Sequence, residues 1–236
     1  CIVTLLFFFY ALLKQSRNYH YIVFFVIIFY MVFSMENIYS YSIKDLEEYF
    51  LSIGEKKFKA TQVFDWLYRK RVESFDEMTN ISVQLRALLN QCFCIKSLFI
   101  AKRLESCIDN TVKYLYGLSD GNYVETVLMK YNYGYSICVS TQVGCKMGCR
   151  FCASAIAGYV RSLEPSEILM QIYETEKNAG IRVSSIVLMG IGEPLDNYDN
   201  VVKFFRLISA PEGNNLSLRH VTVSTCGIVP KIYELA

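Results

Sequence analysis

At 236 residues the chain can bury one large domain, or a small domain and part of a larger one. Its formal charge is only +2, and Lys14 and Arg17 lie ahead of Met35, so bulk charge gives no basic footprint for nucleic acid. Nine cysteines, three of them inside the eight residues Cys145 to Cys152, argue against a secreted disulfide scaffold and for a metal site in a reducing compartment.

The first 34 residues carry two apolar runs, Leu5 to Leu13 and Tyr21 to Phe33, split by Lys14 to Asn18. Neither reaches the roughly 20 residues of a spanning helix. Met35-Glu36-Asn37-Ile38 opens an ordinary soluble pattern, so 1–34 reads as upstream sequence translated in error, with a membrane anchor as the alternative. Ser42 and Asp45 then resemble a capping box, and Leu46, Tyr49, Phe50 and Ile53 recur at helical spacing up to Gly54. Two more amphipathic helices are predicted from about Lys59 and about Ser82.

Thr111 to Leu118 and Tyr123 to Met129 alternate around Asp120-Gly121, which predicts a β-hairpin. From Tyr135 the order becomes strand (Ser136 to Ser140), cysteine loop, helix (Pro165 to Asn178), strand (Ser185 to Met189), helix (Asn200 to Ile208) and strand (Val221 to Ser224). Pro230 starts a further helix. Such βα alternation implies a parallel sheet or barrel.

Thiolates are the protein ligands of iron–sulfur clusters, and a fully ligated cubane takes four. Cys145, Cys149 and Cys152 supply three, which fits a [4Fe-4S] cluster with one iron open to the amino and carboxylate groups of S-adenosylmethionine. Zinc, with Cys138 or Cys226 as fourth ligand, is the rival, although structural zinc sites usually use two separated pairs. Gly144 and Gly148 let the backbone wrap closely, and Phe151 is placed to shield a cluster from water. Cys92, Cys94, Cys107 and Cys226 are read as packing residues, and neither His20 nor His220 supports a histidine site. Lys56, Lys57, Lys59, Arg69, Lys70 and Arg71 surround Phe64, Trp66 and Tyr68; they suit either a grip on folded RNA or a solvated helix face.

The run from Cys145 to Cys152 resembles the radical-SAM signature, and its surroundings resemble the RlmN-type RNA adenine methyltransferases. The supporting stretches are Ala60 to Tyr68, Asp120 to Val127, Cys138 to Cys145, Met189 to Leu195 and Ser224 to Gly227, in family order. The resemblance implies an α/β chain: a small helical N-terminal accessory domain (35–108), a β-hairpin connection (109–134) and the first half of an incomplete radical-SAM (β/α) barrel (135–236).

The resemblance further implies methylation of adenine carbon 2 in 23S ribosomal RNA and in transfer RNA, with an electron donor such as flavodoxin, in a cytoplasmic monomer without stable membrane association. Glu125 falls on the family's proton acceptor, and Cys138 on the cysteine that resolves the protein–RNA adduct through a disulfide. Gly192, Glu193 and Ser224 fall on cofactor contacts, and Cys145, Cys149 and Cys152 on the cluster ligands. The methyl-carrying cysteine is expected beyond Ala236, which would leave this segment incomplete for turnover. A carbon-8 methyltransferase of the resistance type and a non-enzymatic zinc-binding RNA module are the rival functions.

Overall fold

The Ser42 hydroxyl accepts a hydrogen bond from the Asp45 N–H at 3.2 Å, and the Asp45 carboxylate accepts from the Ser42 N–H at 2.9 Å. This reciprocal cap opens α1 (Ile43–Ser52) in the computed structural model, which describes residues 35–236 apart from Ala157. The run 1–34, with its two readings, lies outside the described residues. α2 (Phe58–Phe64) winds on into a π-type turn over Asp65–Lys70, ended by Arg71 in left-handed backbone at φ 55°. α3 (Val83–Cys92) starts at Ser82, whose hydroxyl accepts from the Leu85 N–H.

The strands longer than two residues, in chain order, are β1 (Phe99–Glu105), β2 (Val112–Gly117), β3 (Tyr123–Tyr131), β4 (Gly134–Val139), β5 (Gln142–Gly144), β6 (Tyr159–Ser162), β7 (Val183–Leu188) and β8 (Val221–Val223). Six of them form one sheet in the order β8-β7-β4-β3-β2-β1, while β5 and β6 pair as a separate short hairpin. β1 to β4 are antiparallel neighbours; β4, β7 and β8 are parallel. The parallel strands are linked by α4 (Pro165–Ala179) and α5 (Tyr198–Ser209), and α6 (Val229–Leu235) follows β8. The described sheet is open and carries a three-strand parallel β/α array on one side and an antiparallel meander on the other.

The sequence reading divides the chain at 108/109 and 134/135, and the six-stranded sheet crosses both points because β1 joins it from upstream. β1 escapes the sequence pattern because six of its seven residues are exposed, which leaves no alternation to read.

Alternation along the strands sorts residues onto two faces. Ile137, Val139, Ile186 and Leu188 are fully buried under the helices. Tyr114 donates its hydroxyl to Asn178, Tyr116 shares a 2.8 Å bond with Thr175, and Thr126 donates to Gln171, all on α4. The opposite face carries Glu125, Val127, Cys138, Val187 and Thr222, joined by the pairings Val127↔Cys138, Cys138↔Val187 and Val187↔Thr222. The helical segment is fastened to α4 by Arg71, which lies 3.9 Å over the Tyr173 ring and reaches the buried Glu176 at 2.6 Å. Glu176 also accepts from the Val183 N–H, so the same carboxylate pins the start of β7. Among the described residues no helix is long and apolar enough to cross a membrane.

Gln171 joins three of these pieces. Its Oε1 accepts from the Ser140 N–H and the Thr126 hydroxyl, each at 2.8 Å, and its Nε2 donates to the Ser140 carbonyl at 2.9 Å. Gln171→Leu should lower stability by about 2–4 kcal/mol in urea unfolding, because several buried polar groups lose their partner together. A loss below about 1 kcal/mol would contradict this account.

Candidate cluster-binding and active site

The chain leaves β4 at Ser140, turns through Thr141, and enters β5 against the end of β7. The Thr141 and Gln142 N–H groups donate to the Ile191 carbonyl at 2.9 and 3.1 Å, and the Gly190 N–H donates to the Val139 carbonyl at 3.0 Å. The cysteine loop therefore starts beside the turn that follows β7, at the carboxyl ends of the parallel strands, where open α/β sheets bind ligands.

Gly144 adopts φ 71°, and a Cβ there would sit 1.6 Å from the Gly158 carbonyl oxygen. That carbonyl accepts from the Cys145 N–H at 3.1 Å, so glycine is required for the loop to close on itself. At the far end the Cys152 N–H donates to the Cys149 carbonyl at 3.0 Å.

Cys145, Cys149 and Cys152 form no disulfide and are half-buried. The structure puts them on one loop without gathering them: among the described residues no three Cys, His, Asp or Glu side chains converge tightly enough to hold a metal ion. The donor set still fits an iron–sulfur group, since it offers three cysteines outside any disulfide, among glycines at positive φ. Phe151, expected as a shield, is 94 % exposed. Cys226, expected as packing, is exposed, and its N–H donates to Glu193.

Glu193 is buried, 4 % exposed. Its Oε1 accepts from the Leu195 N–H and the Thr225 hydroxyl, and its Oε2 accepts from the Cys226 N–H at 2.7 Å. Gly192, at φ 107°, lies against Gln142 so closely that a Cβ would stand 2.6 Å from the Gln142 Cβ. Ser224 directly follows β8, with its N–H on the Leu188 carbonyl at 3.2 Å. These three predicted residues thus lie at the adjoining ends of β7 and β8.

Glu125 and Cys138 share the sheet face opposite the helices. Because Val127 pairs with Cys138, they are diagonal neighbours, about 7–8 Å apart in ordinary sheet geometry. Burial pushes the Cys138 thiol above its ordinary pKa. The Glu125 carboxylate is 2.7 Å from Lys113 Nζ, a partner no sequence motif announces. Asp196, Gln142 and Thr225 were also missed as site residues, since their roles depend on which strand ends meet. Within the basic cluster, Lys57 pairs with Glu47, Arg69 and Lys70 with Asp65, and Arg71 with Glu176, so much of its charge is answered inside the chain.

Residues 36–95 match the ribosomal RNA large subunit methyltransferase N-terminal domain, and residues 139–236 match the radical SAM superfamily. A curated relative from Lachnoclostridium phytofermentans, named a probable dual-specificity RNA methyltransferase RlmN, is 53% identical over 203 residues, covering 85% of this chain and 56% of that protein. A protein of the same name from Clostridium perfringens is 52% identical over 202 residues, covering 86% of this chain and 58% of that protein. The crystal structure of a radical SAM methyltransferase from Sphaerobacter thermophilus superimposes with a TM-score of 0.77 at 35% identity, over 85% of this chain and 60% of that one. The chain spans little more than half the length of the curated relatives it matches.

The two loop glycines should respond differently. Gly144→Ala meets both positive φ and the Gly158 carbonyl, whereas Gly148 has nothing within 4 Å of its would-be Cβ. Gly144→Ala should cost about 1–3 kcal/mol and speed hydrogen exchange at the Cys145 amide, while Gly148→Ala carries only the backbone penalty of about 1 kcal/mol. Equal exchange rates in the two variants would count against the loop closure described above.

Proposed function

From the premise that the chain belongs to the RlmN type of the radical SAM superfamily, we propose that it is the cluster-bearing part of an enzyme methylating carbon 2 of adenine in 23S ribosomal RNA and in transfer RNA. The observation that carries this reading is the single loop of three cysteines outside any disulfide, set beside the Gly192–Glu193 turn at the carboxyl ends of β4, β7 and β8.

Carbon 2 of adenine has no lone pair with which to attack a sulfonium, and a [4Fe-4S] cluster with S-adenosylmethionine supplies, when bound, the radical chemistry that such a carbon needs. Cys145, Cys149 and Cys152 would hold the cluster. Glu193 would orient the ammonium group of the cofactor's methionine part. Donors from Leu195, Thr225 and Cys226 hold that carboxylate in place. Gly192 lets the backbone pack flat on Gln142 beneath that position, and Ser224 marks the neighbouring strand end.

Glu125 takes the proton from adenine carbon 2, with Lys113 Nζ 2.7 Å from its carboxylate. Cys138, on the same face, attacks the sulfur of the methyl-carrying cysteine, so that the carbon–sulfur bond to the RNA breaks and a disulfide forms. That partner cysteine is assigned outside residues 1–236. The reading brings with it an electron donor of the flavodoxin kind and a cytoplasmic setting.

The full chain, purified and reconstituted anaerobically, should take up about four irons and four sulfides. With dithionite and S-adenosylmethionine it should release 5′-deoxyadenosine, and Cys152→Ala should abolish both. Stoichiometric zinc without sulfide would overturn the enzyme reading in favour of a metal-binding RNA module.

A further inference from the structure

Asp196 lies on the 3-10 turn Pro194–Asn197 between β7 and α5. Its Oδ1 stands 2.9 Å from Lys146 Nζ, and its Oδ2 accepts from Gln142 Nε2 at 2.8 Å. Lys146 directly follows Cys145, and Gln142 opens the strand that leads into the cysteine loop. The other end of the Gln142 amide, Oε1, accepts from the Glu193 N–H at 2.9 Å. The Lys146 ammonium also lies 5.2 Å from the centre of the Tyr159 ring on β6.

An exposed ion pair ordinarily adds little stability. This one is asymmetric: the Asp196 side chain is 16% exposed and the Lys146 side chain 53%. The carboxylate is fixed from below by Gln142 and by its place on a turn whose next residue, Asn197, donates to both the Thr141 and Leu163 carbonyls at 2.8 Å. The cation, by contrast, belongs to the loop, where the Cys145 N–H is bonded to the Gly158 carbonyl and the Cys152 N–H to the Cys149 carbonyl, both within the same segment. A fixed anion meeting a loop-borne cation restricts the loop, not the turn, and narrows the conformations that must be lost when thiols converge on a ligand.

We propose that Asp196 is a positioning residue for the cysteine loop: through Lys146 it anchors the Cys145 limb to the Gly192–Glu193 turn, so that cluster ligands and cofactor-binding turn form one body. The inference rests on the cluster reading above. Asp196 itself touches neither group and acts only through Lys146 and Gln142.

The test compares Asp196→Asn, Asp196→Glu, Lys146→Met and the Asp196→Asn/Lys146→Met double variant in the full chain. Asparagine keeps an acceptor for Gln142 and removes only the charge. After anaerobic reconstitution, the rate at which a chelator strips iron is followed by visible absorbance. Both single variants should lose iron about threefold faster than wild type, the double variant no faster than either single one, and Asp196→Glu should recover part of the difference. Thermal unfolding should stay near wild type in all four, which a merely structural role would not predict.

A metal-free readout separates this inference from the function: hydrogen exchange over 142–152 should rise in Asp196→Asn and Lys146→Met while α5 is unchanged. Wild-type exchange in both variants, or additive effects in the double variant, overturns the tether. A wild-type chain that takes zinc in place of iron and sulfide overturns the functional reading, and with it the cluster half of the inference, while the exchange result still decides the tether.

Discussion

Buried backbone that leaves a sheet must find new partners for its N–H and C=O groups, and at the end of β4 that requirement falls on Ser140, which is fully buried. One side chain, Gln171, answers both its N–H and its carbonyl. Its hydroxyl donates to the Glu125 carbonyl at 2.6 Å and accepts from the Ile191 N–H at 3.0 Å. A single residue thus locks β3, α4 and the end of β7 together, and so fixes the direction in which the chain sets out toward the cysteines. If this exit rotated, the loop would leave the β7 end, whatever its own sequence.

The turn after β7 completes the arrangement from the other side. Asn197 reaches back to Thr141 and Leu163, Glu193 reaches across to Thr225 and Cys226, and Asp196 reaches to Gln142 and Lys146. Three polar side chains within five residues bind three separate chain segments. A charged group this deeply buried is tolerable only when its lone pairs are satisfied, and for Glu193 backbone and hydroxyl donors meet most of that need.

Much of this fold is written locally. The Ser42–Asp45 and Ser82 caps, Pro165 at a helix start, and Gly180 at its exit with φ 65° all act through neighbours within a few residues, which is why a linear reading finds them. β1 has no buried stripe, and β5, with its three residues, is too short to show a period. The cysteines are legible by spacing alone. Lys113 and Asp196 are not: Lys113 meets Glu125 because Leu115 pairs with Glu125 across β2 and β3, and Asp196 meets Lys146 because β4 and β7 end side by side. Contacts set by strand register carry no mark in either segment.

The same register also sets which side chains meet on the face opposite the helices. Lys113, Glu125 and Cys138 follow one another diagonally across β2, β3 and β4, and the outer pair of charges is 44% and 43% exposed. In water such a pair adds about 0–1 kcal/mol, too little to hold the carboxylate in one place. Excluding water changes this, because the attraction scales inversely with the local dielectric. A flat group laid over the face would therefore strengthen the pair. The Glu193 carboxylate needs no such help, because it sits on a buried turn and accepts from three donors.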